Sequence, residues 1–305
     1  MLILNTIFPL FALLILGSLL KGWGLTSEAF LKTSDRLVYY IFFPAMLFWK
    51  LGSGSGGEEA SPGLCAAGVL GVGLVFLLSL RTLKSFKIPS FKAGSFVQAG
   101  IRFNTYIGMA IVLNTLGEAG VRHFGILVGI VIPMINVMVV SVLIWHSSQD
   151  LTPSKKTLFF IRALVSNPLI IACVLGLLYS RTDLGFPVFM DNTFSLMTAV
   201  TLPLALISIG GTLRFKGLAE HARLSFTAAV LKLVILPLTG FILLKIFHVT
   251  GIPFKTGMIF FCLPTSTAIY VLSAQLNSDT DLASAAIMLS TLLSFVSLSV
   301  ALMLG

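Results

Sequence analysis

Two polar stretches interrupt otherwise apolar runs, and they are where this sequence could do chemistry. The first holds Gln98, Arg102, Asn104, Thr105 and Tyr106, and the second holds Pro264, Thr265, Ser266 and Thr267. At an offset of 160, Thr105 falls on Thr265 and Leu116 on Leu276, so the polar stretch of each half occupies the same place. Pro264 has no backbone N–H and clashes with the preceding turn, which frees carbonyls there. Hydrocarbon cannot satisfy such groups, so a broken helix is tolerated only within protein or beside a water-filled cavity. Hydroxyls and amides are the local partners, and the N-terminal ends of half-helices carry partial positive charge that favours an anion. The substrate-binding candidates are therefore Arg102, Asn104, Thr105, Tyr106, Pro264, Thr265, Ser266 and Thr267, with Gln98, Asn136 and Lys232 as secondary candidates.

Each has a plainer alternative. Arg102 could end a basic loop and Lys232 could snorkel to the cytoplasmic surface. Thr265 to Thr267 and Asn136 could be hydrogen-bonding glue between helices.

The elements that must position these residues are membrane spans. The chain has 305 residues, 57% of them hydrophobic and 10% charged, with a mean hydropathy of +1.03. A soluble domain carries about 25% charge, so the solvent for this surface is lipid. The net charge of +9 is dispersed in short clusters between apolar runs and does not form a nucleic-acid patch. At about 20 residues per span, ten spans are expected: 2–20, 37–51, 63–80, 94–114, 123–145, 158–179, 191–211, 225–247, 256–275 and 282–304. The first run lacks a basic flank and an A-x-A-like site, which argues against a cleavable signal peptide.

Loops 1, 3, 5, 7 and 9 hold thirteen Lys and Arg, and loops 2, 4, 6 and 8 hold five. The odd loops are thus expected in the cytoplasm and both termini outside. A second regularity is an offset of 159, which relates Pro9 to Pro168, Gly17 to Gly176 and Pro44 to Pro203. The expected organisation is a repeat over 1–146, a cytoplasmic linker over 147–157 and a second repeat over 158–305, forming one integrated transport domain. Five spans is an odd number, so the second repeat would be inverted. The expected fold class is an all-α membrane protein, with two inverted five-helix repeats and broken, crossed helices 4 and 9.

Other chemistries find little support. Cys65, Cys173 and Cys262 are isolated within apolar runs and read as packing residues. His123, His146, His221 and His248 lie at span ends or in loops. No metal spacing, no G-x-S-x-G, no H-E-x-x-H and no aspartate pair within a span is present, so neither a metal nor an enzyme activity is expected.

Several motifs together resemble the auxin efflux carrier family, which includes bacterial malate-type permeases and the plant PIN-FORMED carriers. They are Leu37 to Phe48 around Pro44, Arg102 to Gly108, Leu202 to Gly210 around Pro203, and Leu263 to Ala268 followed by Asp281 to Ser284 and Ser290 to Ser294. The resemblance implies a fold similar to bile-acid sodium symporters, with ten spans and crossed helices 4 and 9. It also implies secondary transport of organic anions, such as dicarboxylates or auxin-like aromatic acids, across a plasma membrane or bacterial inner membrane. This chain departs from the plant pattern of Asn-Pro at each crossover. Asn104 is followed by Thr105, Pro264 is preceded by Leu263, and the long plant-type cytoplasmic loop is absent. That favours a bacterial-type organic acid carrier working by alternating access.

The expected partners are a small organic anion and the lipid bilayer, with no nucleic acid; a homodimer stays open. No cofactor is expected, and coupling to a proton or to sodium stays open. The alternatives are a channel or a membrane-embedded ligand sensor on the same fold, or efflux of an auxin-like aromatic acid.

Overall fold

The computed structural model describes residues 2–53, 61–146, 167–182, 184–213 and 218–304. The expected linker at 147–157, most of the Gly/Ser loop after Gly52 and the opening of the sixth apolar run lie outside them. Every regular element among the described residues is helical. In order they are α1 (Leu2–Gly22), α2 (Glu28–Leu37), a π-turn (Val38–Phe42), α3 (Phe43–Gly52), α4 (Pro62–Ser85), α5 (Ser90–Ile101), α6 (Thr105–His146), α7 (Pro168–Tyr179), α8 (Val188–Thr212), α9 (Leu218–Val230), a second π-turn (Leu231–Ile235), α10 (Leu236–Ile246), α11 (Gly251–Phe261), α12 (Ala268–Gln275) and α13 (Thr280–Leu304).

Among the described residues, six helical segments could cross a bilayer by length and composition: Asn5–Gly22, Pro62–Ser85, Ser90–His146, Val188–Thr212, Leu218–Ile246 and Thr280–Leu304. The two runs expected at 94–114 and 123–145 fall together in the third of these. The runs expected at 37–51 and 256–275 are also helical, but interruptions shorten their continuous pieces.

Proline causes several of the interruptions. Each π-turn ends two residues before a proline, Pro44 or Pro237. A proline cannot donate to the carbonyl four residues back and its ring crowds that carbonyl, so the preceding turn widens. The N–H of Phe43 accordingly reaches Val38, and that of Leu236 reaches Leu231. Helix starts are set by side chains. Ser27 accepts from Phe30 N–H at 3.1 Å to open α2, which begins well before the span expected at 37. Asn167 accepts from Leu169 N–H at 3.0 Å, with Pro168 in the first turn of α7. Two breaks use left-handed backbone. Gly117 (φ 61°) kinks α6, and Asn277 (φ 53°) follows α12, again 160 positions apart. Glycine and asparagine are the residues that tolerate this conformation best.

Contacts divide the chain into two compact units, each drawing on both halves of the sequence. Unit 1 comprises Met1–Ser61, Tyr106–Gly129 and Ser166–Leu213. In it, α1 meets α8 so closely that a Cβ on Gly17 would lie 2.1 Å from the Ile207 carbonyl oxygen, and one on Gly210 would lie 1.9 Å from that of Leu14. The α3–α7 contact repeats this arrangement, with a Cβ on Gly176 lying 2.9 Å from the Phe48 carbonyl oxygen. Gly17 and Gly176 are 159 positions apart, and so are Phe48 and Ile207. Polar contacts flank this packing. Ser208 Oγ donates to the Leu31 carbonyl at 2.9 Å, Trp49 Nε1 donates to Asp191 at 2.6 Å and Lys50 pairs with Glu118 at 2.5 Å.

Unit 2 comprises Pro62–Thr105, Ile130–Val165 and Arg214–Gly305. Its described helices are α4, α5, the latter part of α6 and α9 to α13. Large apolar side chains such as Phe96, Phe260 and Phe261 are fully buried in it.

Candidate functional site

The backbone is broken twice in unit 2. Helix α5 ends at Ile101, Arg102 turns extended (φ −71°, ψ 141°), and α6 opens at Thr105. Helix α11 ends at Phe261, and residues 262–267 lead to α12. The breaks meet: Asn104 N–H donates to the Pro264 carbonyl at 2.9 Å. These two residues are 160 positions apart, the offset that aligns Thr105 with Thr265.

Each break leaves helix-terminal groups without intrahelical partners, and buried groups of that kind need others. Thr265 supplies one, since its hydroxyl donates to the Ala99 carbonyl in the last turn of α5 at 2.7 Å. Helix α13 supplies two more. Ser290 Oγ accepts from Thr265 N–H at 3.1 Å, and Ser297 Oγ donates to the Cys262 carbonyl at 2.9 Å. Replacing Ser297 by alanine strands that carbonyl, at a cost of about 1–2 kcal/mol. The thermal unfolding midpoint should therefore fall in Ser297→Ala. It should stay near wild type in Ser299→Ala, whose exposed hydroxyl only back-bonds to Phe295 on its own helix.

The expected site residues are not all brought together. Gln98, Arg102, Asn104, Thr105, Asn136, Lys232, Pro264, Thr265, Ser266 and Thr267 all belong to unit 2. Tyr106 belongs to unit 1, where its ring packs edge-on against Phe43 at 4.9 Å. Asn104, Thr105 and Thr265 are buried, whereas Ser266 and Thr267 are half-buried. Ser266 Oγ accepts from Ala268 N–H at 3.3 Å and so caps the start of α12. Gln98 is fully buried; its amide nitrogen donates to Ser273 Oγ at 3.3 Å and its Oε1 has no hydrogen-bond partner among the described residues.

Two basic side chains accompany the paired breaks. Arg102 is half-buried within the first break, and its guanidinium donates to Asn136 Oδ1 on α6. It does not simply close the basic loop. Lys232 does not snorkel either: it is 0% exposed and sits in the π-turn between α9 and α10. Its Nζ lies 5.8 Å from the centroid of the Phe103 ring, in the first break, and has no hydrogen-bond partner among the described residues. The sequence contains no Asp or Glu over 62–105, 222–278 or 282–304, which are the stretches around these breaks. The formally charged side chains carried by these segments are therefore basic.

The sequence reading missed the hydroxyls of α13. Their spacing held a signal, since Ser290, Ser294 and Ser297 recur at i, i+4 and i+7 and share one helix face.

Comparison with known proteins places these features in context. A model of the membrane transport protein family matches residues 2–302. An uncharacterized transporter of Methanothermobacter thermautotrophicus is 25% identical over 304 residues, covering 96% of this chain and 95% of that protein. An uncharacterized transporter of Methanocaldococcus jannaschii is 21% identical over 302 residues, covering 96% of each chain.

Proposed function

We propose a carrier mechanism for this chain, which belongs to the membrane transport protein family, the auxin efflux carrier group that its motifs resemble. It is an integral membrane protein, and the reading we favour is secondary active transport of a small organic anion, such as a dicarboxylate, by alternating access. The observation that carries the reading is the meeting of the two breaks. Their backbones are joined by the Asn104–Pro264 hydrogen bond, Arg102 and Lys232 lie in and beside the first break, and no carboxylate occurs in the surrounding stretches.

The chemistry follows from that arrangement. Helix α12 begins at the second break, so the partial positive charge of its first turn favours an anion. Arg102, held by Asn136, offers a planar fork of donors suited to a carboxylate. Asn104 and the hydroxyls of Thr105, Ser266 and Thr267 orient the rest of the substrate.

The finer architecture belongs to the same proposal: ten spans in two inverted five-span repeats, over 1–146 and 158–305, with both termini outside. The offset glycine contacts of α1–α8 and α3–α7 support duplication. The loop charge bias supports the inversion.

A thermal-shift screen tests the reading. Organic acids are added to purified wild type and Asn104→Ala, with and without sodium and across pH. At least one di- or monocarboxylate should raise the wild-type midpoint, and Asn104→Ala should require about tenfold more of it, as expected for a lost hydrogen bond of about 1.4 kcal/mol. Stabilisation by cationic ligands alone would contradict the reading.

A further inference from the structure

A second group of chemically capable side chains lies away from the crossing. One ring nitrogen of His221 and one carboxylate oxygen each of Asp279 and Asp281 lie within 4.8 Å of one another. His221 belongs to α9, Asp279 immediately precedes α13, and Asp281 lies in the first turn of α13. All three belong to unit 2. We propose that His221, Asp279 and Asp281 bind a first-row divalent cation, with Zn2+ as the representative ion.

Two carboxylates this close repel each other and call for a positive partner. Lys92 approaches Asp279 Oδ2 only at 3.9 Å, and its side chain is 30% exposed, so it is free to yield its place. Asp279 itself is fixed. Its Oδ1 accepts from Leu282 N–H at 2.8 Å, its backbone N–H donates to the Phe91 carbonyl at 3.0 Å, and its carbonyl accepts from Ser95 Oγ at 2.7 Å. These bonds leave Oδ2 for a ligand.

His221 is the independent observation. It is only 8% exposed, and its Nδ1 is buried with no hydrogen-bond partner among the described residues. A buried imidazole nitrogen that makes no hydrogen bond is unusual; one ring nitrogen of this same side chain is grouped with the two carboxylate oxygens. Asp281 is exposed and gives an ion a way in from solvent. Imidazole with two carboxylates is a borderline donor set that suits Zn2+, Co2+ or Mn2+, with water completing the coordination. The ion would join the start of α9 to the start of α13. The motif could not be read from the sequence, because His221 and Asp279 are 58 positions apart.

The test uses the full chain, purified in detergent and stripped with EDTA. Zn2+ is titrated by calorimetry, and Co2+ is followed by its visible absorption. One Zn2+ per chain should bind saturably and raise the thermal midpoint. Affinity should fall at least ~10-fold in both His221→Ala and Asp281→Asn, as expected when a ligand is lost. Asp281→Asn alters an exposed side chain and keeps the test decisive where His221→Ala folds poorly. Binding should persist when His146 and His248 are both replaced by alanine. Absence of saturable binding would overturn the proposal. So would binding that is unchanged in Asp281→Asn, or a group that answers only to pH.

Discussion

Gly210→Ala should unfold or severely destabilise unit 1, by about 3 kcal/mol or more. The added Cβ would sit 1.9 Å from the Leu14 carbonyl oxygen and 2.6 Å from its carbon. Those are backbone atoms of the facing helix, so no rotamer change relieves the clash. The helices must separate along their contact, and dispersion contacts are lost on both sides. Gly17→Ala, with its clash at 2.1 Å, should rank just below. Gly176→Ala meets its nearest atoms at 2.9 Å and should cost about 1 kcal/mol. Gly73→Ala meets nothing within 4 Å and should be neutral or slightly stabilising, since alanine is the better helix former by up to about 1 kcal/mol. Thermal unfolding midpoints followed by size-exclusion chromatography give the ranking. A Gly210→Ala protein as stable as Gly73→Ala would refute the close packing of α1 on α8.

Arg102→Gln should abolish tight anion binding while leaving the protein folded. Hydrogen bonds to a charged group contribute about 1.5–3 kcal/mol, which corresponds to roughly a 10- to 100-fold loss of affinity. The side chain is half-buried and one of its partners is the neutral Asn136. Arg102→Lys should recover only part of the affinity, because an ammonium lacks the planar fork. Asn136→Ala should weaken binding less than Arg102→Gln, since it removes one partner of the guanidinium and keeps the guanidinium itself. Titration of the carboxylate that stabilises wild type, read as a thermal shift, gives these affinities. Wild-type affinity in Arg102→Gln would remove Arg102 from the site.

The positions of the breaks were legible in the sequence because their causes are local. Pro264 cannot continue a helix, and polar residues inside an apolar run need partners nearby. The 159-residue offset was legible for a similar reason, since glycines mark close backbone approach. Gly17 and Gly176 do meet equivalent carbonyls, those of Ile207 and Phe48. What the sequence hid depends on distant segments. Lys232 read as a residue able to snorkel, because its burial against Phe103 comes from packing more than a hundred positions away. Tyr106 read as a companion of Thr105, yet it packs on Phe43 in the other unit. Helix α2 runs nine residues ahead of the span expected at 37, because a capped amphipathic helix carries no long apolar signal.

The central claim is that the paired breaks form the binding site of a carrier. Counterflow in proteoliposomes tests it most directly, using a labelled carboxylate identified by the thermal-shift screen. Saturable uptake is expected, accelerated by unlabelled substrate on the far side and reduced at least tenfold by Asn104→Ala and by Arg102→Gln. Uptake that neither saturates nor shows counterflow, or that survives both substitutions unchanged, would contradict it.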